Sequence, residues 1–350
     1  MASLWLKLLS LCLICLNCIA KPNPNQETEF ECVSMYKQSA LQHPRMKNHQ
    51  IQTRPSRELL SMLSNDDTIT KIVLKGSEEC PEGQVPIHKP ETNLTSDPIY
   101  SQHSGRLLKQ ARWVRKKSKN HLRSGNRNKP IGSATLKRPN HPRRLFSENH
   151  LHYAIVRTFE NTTKTWRGAQ ALFSINKPRI SQNQFSKAWI WLNYIQGNSM
   201  SSIQFGWAVH AKYRDNRPRL TTFWMSDKQP KGCYNALCPG GYVQVHKSIY
   251  PGLVYDQISV QRGQQHTVHL SVSEDPVTKN WVLTIGTIMI GYWPRQSYMA
   301  QGASEVYFGG FVGTLLSQTI SPPMGTGDFP TNDLTRETLT FGGPGGQCSL

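Results

Sequence analysis

The stretch from Ser201 to Val245, SSIQFGWAVHAKYRDNRPRLTTFWMSDKQPKGCYNALCPGGYVQV, constrains the fold more than any other. Ile203, Phe205, Trp207 and Val209 alternate with Gln204, Gly206, Ala208 and His210. A period of two predicts a strand with one face packed in a core and one face open. A second aromatic strand is expected over Leu220–Trp224, and Cys233 and Cys238 then close a tight loop. The open face of the first strand carries Gln204.

Other short runs repeat the pattern. His152–Thr158, Ala169–Ile175, Phe185–Leu192, Tyr242–Val245, Thr267–Val272, Trp281–Ile290 and Ser304–Val312 read as strands. Glu274–Asn280 (EDPVTKN) carries hairpin-turn chemistry. Many short strands, with no long segment of helical period, predict an all-β chain, a β-sandwich or a flattened barrel. The region from about Phe146 onward is long enough for one substantial core.

The first twenty residues combine Lys7, an apolar run from Leu8 to Leu16 and small residues ending at Ala20. This is the pattern of a secretory leader, too short for a stable membrane span. No later apolar run reaches spanning length, so no membrane partner is expected. The expected location is extracellular, or vacuolar or lumenal, where disulfides persist. Beyond the leader the cysteines are Cys32, Cys80, Cys233, Cys238 and Cys348. Cys32 and Cys80 bracket a small segment and Cys233 and Cys238 a short loop, so each pair is expected to bond.

The formal net charge is +19, and its location decides its meaning. No acidic residue lies between Asp97 and Glu148, while Arg106–Arg144 holds 14 Lys and Arg. That stretch is nearly free of bulky apolar residues, so it predicts a disordered linker. Single-strand nucleic-acid binding calls for interleaved aromatic rings; only Trp113 qualifies, and no nucleic-acid partner is expected. Residues 1–20 are therefore read as leader, 21–97 as a propeptide-like segment, 98–145 as linker and 146–350 as the β domain. In the second of these, Phe30, Val33, Ala40 and Leu41 suggest a short helix stopping before Pro44. Asn93-Leu94-Thr95 and Asn161-Thr162-Thr163 are glycosylation sequons. Lys116-Lys117 and Arg143-Arg144 are candidate processing sites, and trypsin is expected to cut the linker first and let the halves separate.

Two blocks near the start, CVSMYKQSALQHPRMKNH and CPEGQVPI, resemble the activation segment of the neprosin family of plant secreted peptidases. IQFGWAV, GCYNALCPGGYVQV, EDPVTKNWVL, IGYWP, GASEVYFGG and the terminal FGGPGGQC are similar to that family's catalytic domain, in order. The resemblance implies a propeptide followed by two packed antiparallel sheets with a groove across one face. It also implies glutamic-peptidase chemistry directed at proline. One carboxylate activates water, and a second carboxyl or an amide stabilises the oxyanion. The family's first glutamate falls on Gln204. Its second motif, resembling V-E-W-G-G-E-V, falls on Val306–Val312, so its glutamates correspond to Tyr307 and Phe311. Neither can act as a carboxylate base at acid pH.

Glu305 shares a strand face with Tyr307 and Phe311 and is expected to be an edge or rim carboxylate. It is the fallback acid for a rebuilt site with Gln204. Asp227 matches a family aspartate and is expected in a turn or loop. Trp207 and Tyr292 belong to retained motifs and are expected to offer groove surface to proline rings. Cys348 lacks the upstream partner that relatives carry, which predicts an unpaired thiol.

Other chemistries find less support. Cys233, Cys238 and His246 lack a second convincing ligand pair for a metal. His266 and His269 face opposite ways on a strand, and no Gly-x-Ser-x-Gly elbow is present. No cofactor and no metal are expected. The expected partner is a peptide or proline-rich protein, with an acidic wall polymer as a further candidate. The expectation is a catalytically impaired or inactive glutamic-peptidase homologue, or alternatively an active one working through Gln204 and Glu305.

Overall fold

The computed structural model describes residues 29–63, 78–89, 149–158, 165–197, 199–213, 215–226, 229–261, 263–295, 299–315, 320–326, 340–343 and 346–349. The leader, the basic linker, Asp227 and both sequons (Asn93 and Asn161) lie outside the described residues. No described helix is long and apolar enough to cross a membrane.

Two antiparallel sheets form a sandwich. The first has six strands in the order β3-β13-β5-β6-β7-β8. These are β3 (Asn149–Arg157), β5 (Phe185–Gln196), β6 (Ser199–His210), β7 (Arg219–Ser226), β8 (Gln229–Tyr234) and β13 (Glu305–Leu315). The second has seven strands in the order β15-β14-β4-β10-β11-β12-β9. They are β4 (Gly168–Ser174), β9 (Val243–Gln244), β10 (Thr267–Glu274), β11 (Trp281–Ile285), β12 (Ile288–Trp293), β14 (Thr340–Gly343) and β15 (Gly346–Ser349). Trp281–Ile290, expected as one strand, is a hairpin instead. Gly286, at φ 54°, takes the left-handed conformation that a tight reversal between β11 and β12 demands.

The alternation in β6 decides how the sheets meet. Ile203, Phe205, Trp207 and Val209 all enter the core between the sheets, with Ile190 and Leu192 of β5 and Val306 and Phe308 of β13. The seven-stranded sheet contributes Phe173, Val268, Leu270, Val272, Trp281, Leu283 and Ile290 to the same core. Trp207 also ties the layers together, its Nε1 donating to the Ser174 carbonyl on β4 at 2.9 Å.

Residues 29–63 and 78–89 lie against the outer face of the seven-stranded sheet as a strap. The helix expected around Phe30–Leu41 is replaced by β1 (Phe30–Ser34), which pairs with β2 (Gln84–His88), followed by 3-10 turns. The Cys32–Cys80 disulfide anchors β1 beside the start of β2 and favours pairing over a helix. A short helix, α1 (Arg57–Met62), is capped by Ser56 Oγ accepting from Leu59 N. Ala40, Met46, Leu59 and Leu63 of the strap bury Val243, Val245, Val282, Met289 and Tyr292. Strap and sandwich therefore share one apolar cluster.

Candidate active-site face

The far face of the six-stranded sheet carries Gln204, and it is not open. Gln204 is fully buried, because alternate residues of five strands, Met200 of its own β6 among them, form a second apolar cluster there. Phe185, Trp189 and Trp191 come from β5, Phe223 and Met225 from β7, Tyr234 from β8, and Tyr307 and Phe311 from β13. The period of two assigned the faces correctly, but the aromatic content of the neighbouring strands covers the second one.

Register places the candidate residues. Gln204 pairs with Trp191 on one side and Phe223 on the other. Trp191 in turn pairs with Tyr307, and Phe223 with Tyr234. One row across the sheet therefore reads Tyr307, Trp191, Gln204, Phe223, Tyr234. Phe311 lies two pleats away, paired with Lys187. Of the two positions matching the second acid, Tyr307 is the one level with Gln204. Between them in register lies a row in which Gly309 and Gly206 flank Trp189. A Cβ on Gly206 would sit 2.0 Å from the Ala188 carbonyl and 2.8 Å from the Trp189 ring, so this indole position requires glycine.

Glu305 is buried, at 1% exposure, rather than at a rim. Tyr307 Oη donates to its Oε2 at 2.7 Å, and Arg157 Nη1 approaches Oε1 at 3.9 Å. Burial first, and then the Glu305 carboxylate, push the Tyr307 phenol well above its ordinary range. A phenol so held is a hydrogen-bond donor and no base. On the neighbouring strands a polar chain runs toward Glu305: Gln204 Nε2 donates to Ser202 Oγ at 3.1 Å, and Ser202 Oγ to Asn193 Oδ1 at 2.7 Å. Asn193 is the register partner of Glu305. Gln204 and Glu305 remain two strands and one pleat apart, about 12 Å between Cα atoms from standard sheet spacings.

Lys187 was not singled out by the sequence reading. Its ammonium is buried within 4.2–5.1 Å of the Phe185, Trp189, Tyr234 and Phe311 ring centres. It also donates to Tyr234 Oη at 2.8 Å. Such a box of rings stabilises a desolvated cation. The available signal was the spacing of Lys187 among Phe185, Trp189 and Trp191, all on one strand face.

Trp207 and Tyr292 do not line this face. Trp207 points into the inter-sheet core because it shares parity with Phe205, not with Gln204. Tyr292 lies on the other sheet beneath the strap, where its hydroxyl meets His49 Nε2 at 2.6 Å and accepts from Gln52 N at 3.3 Å. Cys233 and Cys238 are bonded to each other, as are Cys32 and Cys80. Cys348 is in β15 opposite Phe341, and its side chain lies outside the described residues. Among the described residues no group of three or more His, Cys, Asp or Glu could hold a metal.

The fold and this face define a strapped, disulfide-stapled β-sandwich with an aromatic face on its six-stranded sheet. Two family models match the chain: the neprosin activation peptide over residues 26–157 and neprosin over residues 182–340. The chain belongs to the neprosin family, a peptidase-like family. The activation-peptide match runs through β3, so one edge strand of the site sheet falls within it. Among solved structures the chain is similar to the crystal structure of Scytalido-glutamic peptidase with a peptide-based transition-state analogue. The identity is 10% and the TM-score 0.26, with 48% of this chain and 65% of that chain covered.

Proposed function

We propose that this neprosin-family chain is a secreted, non-cleaving homologue that binds a proline-containing peptide on the aromatic face of its six-stranded sheet. The observation that carries this reading is the row Tyr307–Trp191–Gln204–Phe223–Tyr234, in which no carboxylate stands level with Gln204. Peptide hydrolysis needs a group to take the proton of the attacking water. The nearest carboxylate on the strand of the missing acids, Glu305, is already held by Tyr307 and Arg157. Binding is supported by the indole N–H groups of Trp189 and Trp191, which are buried without an acceptor among the described residues. A peptide carbonyl satisfies such a donor, and aromatic rings suit proline. The disulfides and the family favour an extracellular setting.

A second reading, an active peptidase using Gln204 and Glu305, is favoured by the Gln204–Ser202–Asn193 chain that ends beside Glu305. One experiment separates them. The purified protein is titrated with a proline-rich peptide, and the same peptide is followed by mass spectrometry from pH 3 to 6. Saturable binding without cleavage is expected. Cleavage that disappears in Glu305→Gln would establish the second reading, and absence of both binding and cleavage would sink both.

A further inference from the structure

We infer that, contrary to the separation expected from the sequence, the strap is a permanent subunit-like part of the particle, which stays on the seven-stranded sheet after the linker is cut. This does not rest on the proposed function: the seam and the turn contacts are on the opposite sheet from Gln204, and the third anchor, Arg219, lies two pleats along from the Gln204 row.

Three features carry it. The first is pairing of the kind that holds a strand in a sheet. Gln38 Nε2 donates to the Gln244 carbonyl at 2.8 Å, while Gln38 Oε1 accepts from Gln244 N at 2.7 Å. Gln38 and Gln244 are both buried, so losing the strap would exchange two well-placed bonds on the edge strand β9 for bonds to water and expose the apolar surface beside them. Backbone bonds from Gly240 N to the Ala40 carbonyl and from Cys80 N to the Lys247 carbonyl, each 2.9 Å, extend the seam.

The second is the β10–β11 turn. Asp275 Oδ2 accepts from Gln52 Nε2 and Ser56 N, both at 2.8 Å, and Gln52 Oε1 accepts from Thr278 and Asn280. The strap thus completes the hydrogen bonding of a hairpin that the sandwich needs for its own fold.

The third lies at the far end of the strap, where Glu29 binds Arg219 at 2.8 Å and also reaches Arg217. Arg219 is nearly fully buried. Without Glu29, this guanidinium would keep only Asp215 as a carboxylate partner among the described residues. Its charge-assisted bonds to Glu29 are therefore lost when the strap departs. The apolar cluster around Tyr292 lies between these polar anchors.

Both basic pairs, Lys116-Lys117 and Arg143-Arg144, fall between the last strap strand and β3. Each disulfide lies within one of the two resulting pieces, so the cut pieces are not joined by either of these bonds. Cohesion after a cut therefore has to come from the interface itself.

The test uses the full chain with a recognition sequence for a highly specific protease inserted after Lys117. After complete cutting at neutral pH, gel filtration under reducing and non-reducing conditions is expected to return one peak containing both pieces. Gln38→Leu, cut in the same way, is expected to release at least ten times more strap at equal dilution, whereas Lys37→Ala releases no more than the parent. Separation of the parent pieces at micromolar concentration would overturn the inference. So would equal retention by Gln38→Leu, which would remove the seam as its cause.

Discussion

Placing a second acid level with position 204 is the sharpest test of the register argument. In a Gln204→Glu background a second glutamate goes to Tyr307 in one variant and to Phe311 in another. Residue 307 is level with residue 204 with one strand between, about 10 Å apart at Cα. Two carboxyl groups reaching inward across that span leave space for an attacking water; about 6.5–9.5 Å between carboxyls does so in other hydrolases. Residue 311 lies a further two pleats along, about 16 Å away, and pairs with Lys187. A carboxylate beside that ammonium gains about 4 kcal/mol at 4 Å in a partly screened setting. This lowers its proton affinity by about 3 pH units, which removes it as a base. At 307 the new carboxyl instead lies one pleat from Glu305, and two carboxylates so close push one affinity upward. Losing the Tyr307 ring and its bond to Glu305 costs about 2–4 kcal/mol of stability. The readouts are cleavage of a quenched proline peptide between pH 3 and 6 and the unfolding midpoint. The 204/307 pair is expected to raise turnover by about 10²-fold or more over the parent, and the 204/311 pair to leave it unchanged. Turnover from 204/311 and none from 204/307 would refute the assignment of levels.

Tyr292→Phe leaves His49 and the Gln52 amide without their shared oxygen, and urea unfolding is expected to show a loss of about 1–3 kcal/mol. Burial first, then Arg219, hold the His88 imidazole down at about 4 from 6.5. Its unfolded form therefore binds protons first as pH falls, so the His88 contribution to stability is constant above 6.5 and falls by about 3 kcal/mol through pH 4; His88→Gln should remove that contribution from the curve. Replacing Cys233 and Cys238 by serine opens a loop with a sequence separation of 5 and is expected to cost about 2 kcal/mol, against about 4 for the Cys32–Cys80 pair at separation 48. Denaturant midpoints that rank the two pairs the other way would contradict the loop argument.

The sequence disclosed the sandwich through parity. Ile203 to Val209 and Glu305 to Val312 each assign their faces without a structure, and both local cysteine pairings were readable from bracketing. Parity cannot say what lies over a face. Gln204 was expected to meet solvent, yet it is buried on a face where Trp191 and Phe223 pair with it in register and Trp189 and Tyr307 extend the same apolar cluster. Nor can parity fix register between strands that are far apart in sequence. Tyr307 and Phe311 share a face, so only the pairing through β5 decides which of them is level with Gln204. The extra reversal at Gly286 was hidden because Val282–Ile285 and Ile288–Ile290 read as one apolar run.

Tyr292 shows how a conserved-looking motif can belong to a different part of the molecule from the one its chemistry suggests. An aromatic residue in IGYWP fits a proline-binding surface, and so does Trp207 in IQFGWAV. Each is instead consumed by the architecture: Trp207 fastens the sheets through Ser174, and Tyr292 receives the strap through His49 and Gln52. The two roles are linked, because the strap covers the outer face of the seven-stranded sheet, while its Glu29 and His88 reach Arg219 and Tyr213 beside the other sheet. The proposed ligand face is the other one, which holds Gln204, Lys187 and the indoles of Trp189 and Trp191, unpaired among the described residues. Substituting the aromatic residues there should therefore change peptide affinity while leaving strap retention unaltered, and Tyr292→Phe should do the reverse. A variant on either face that moved both readouts together would mean the two faces are energetically coupled through the inter-sheet core.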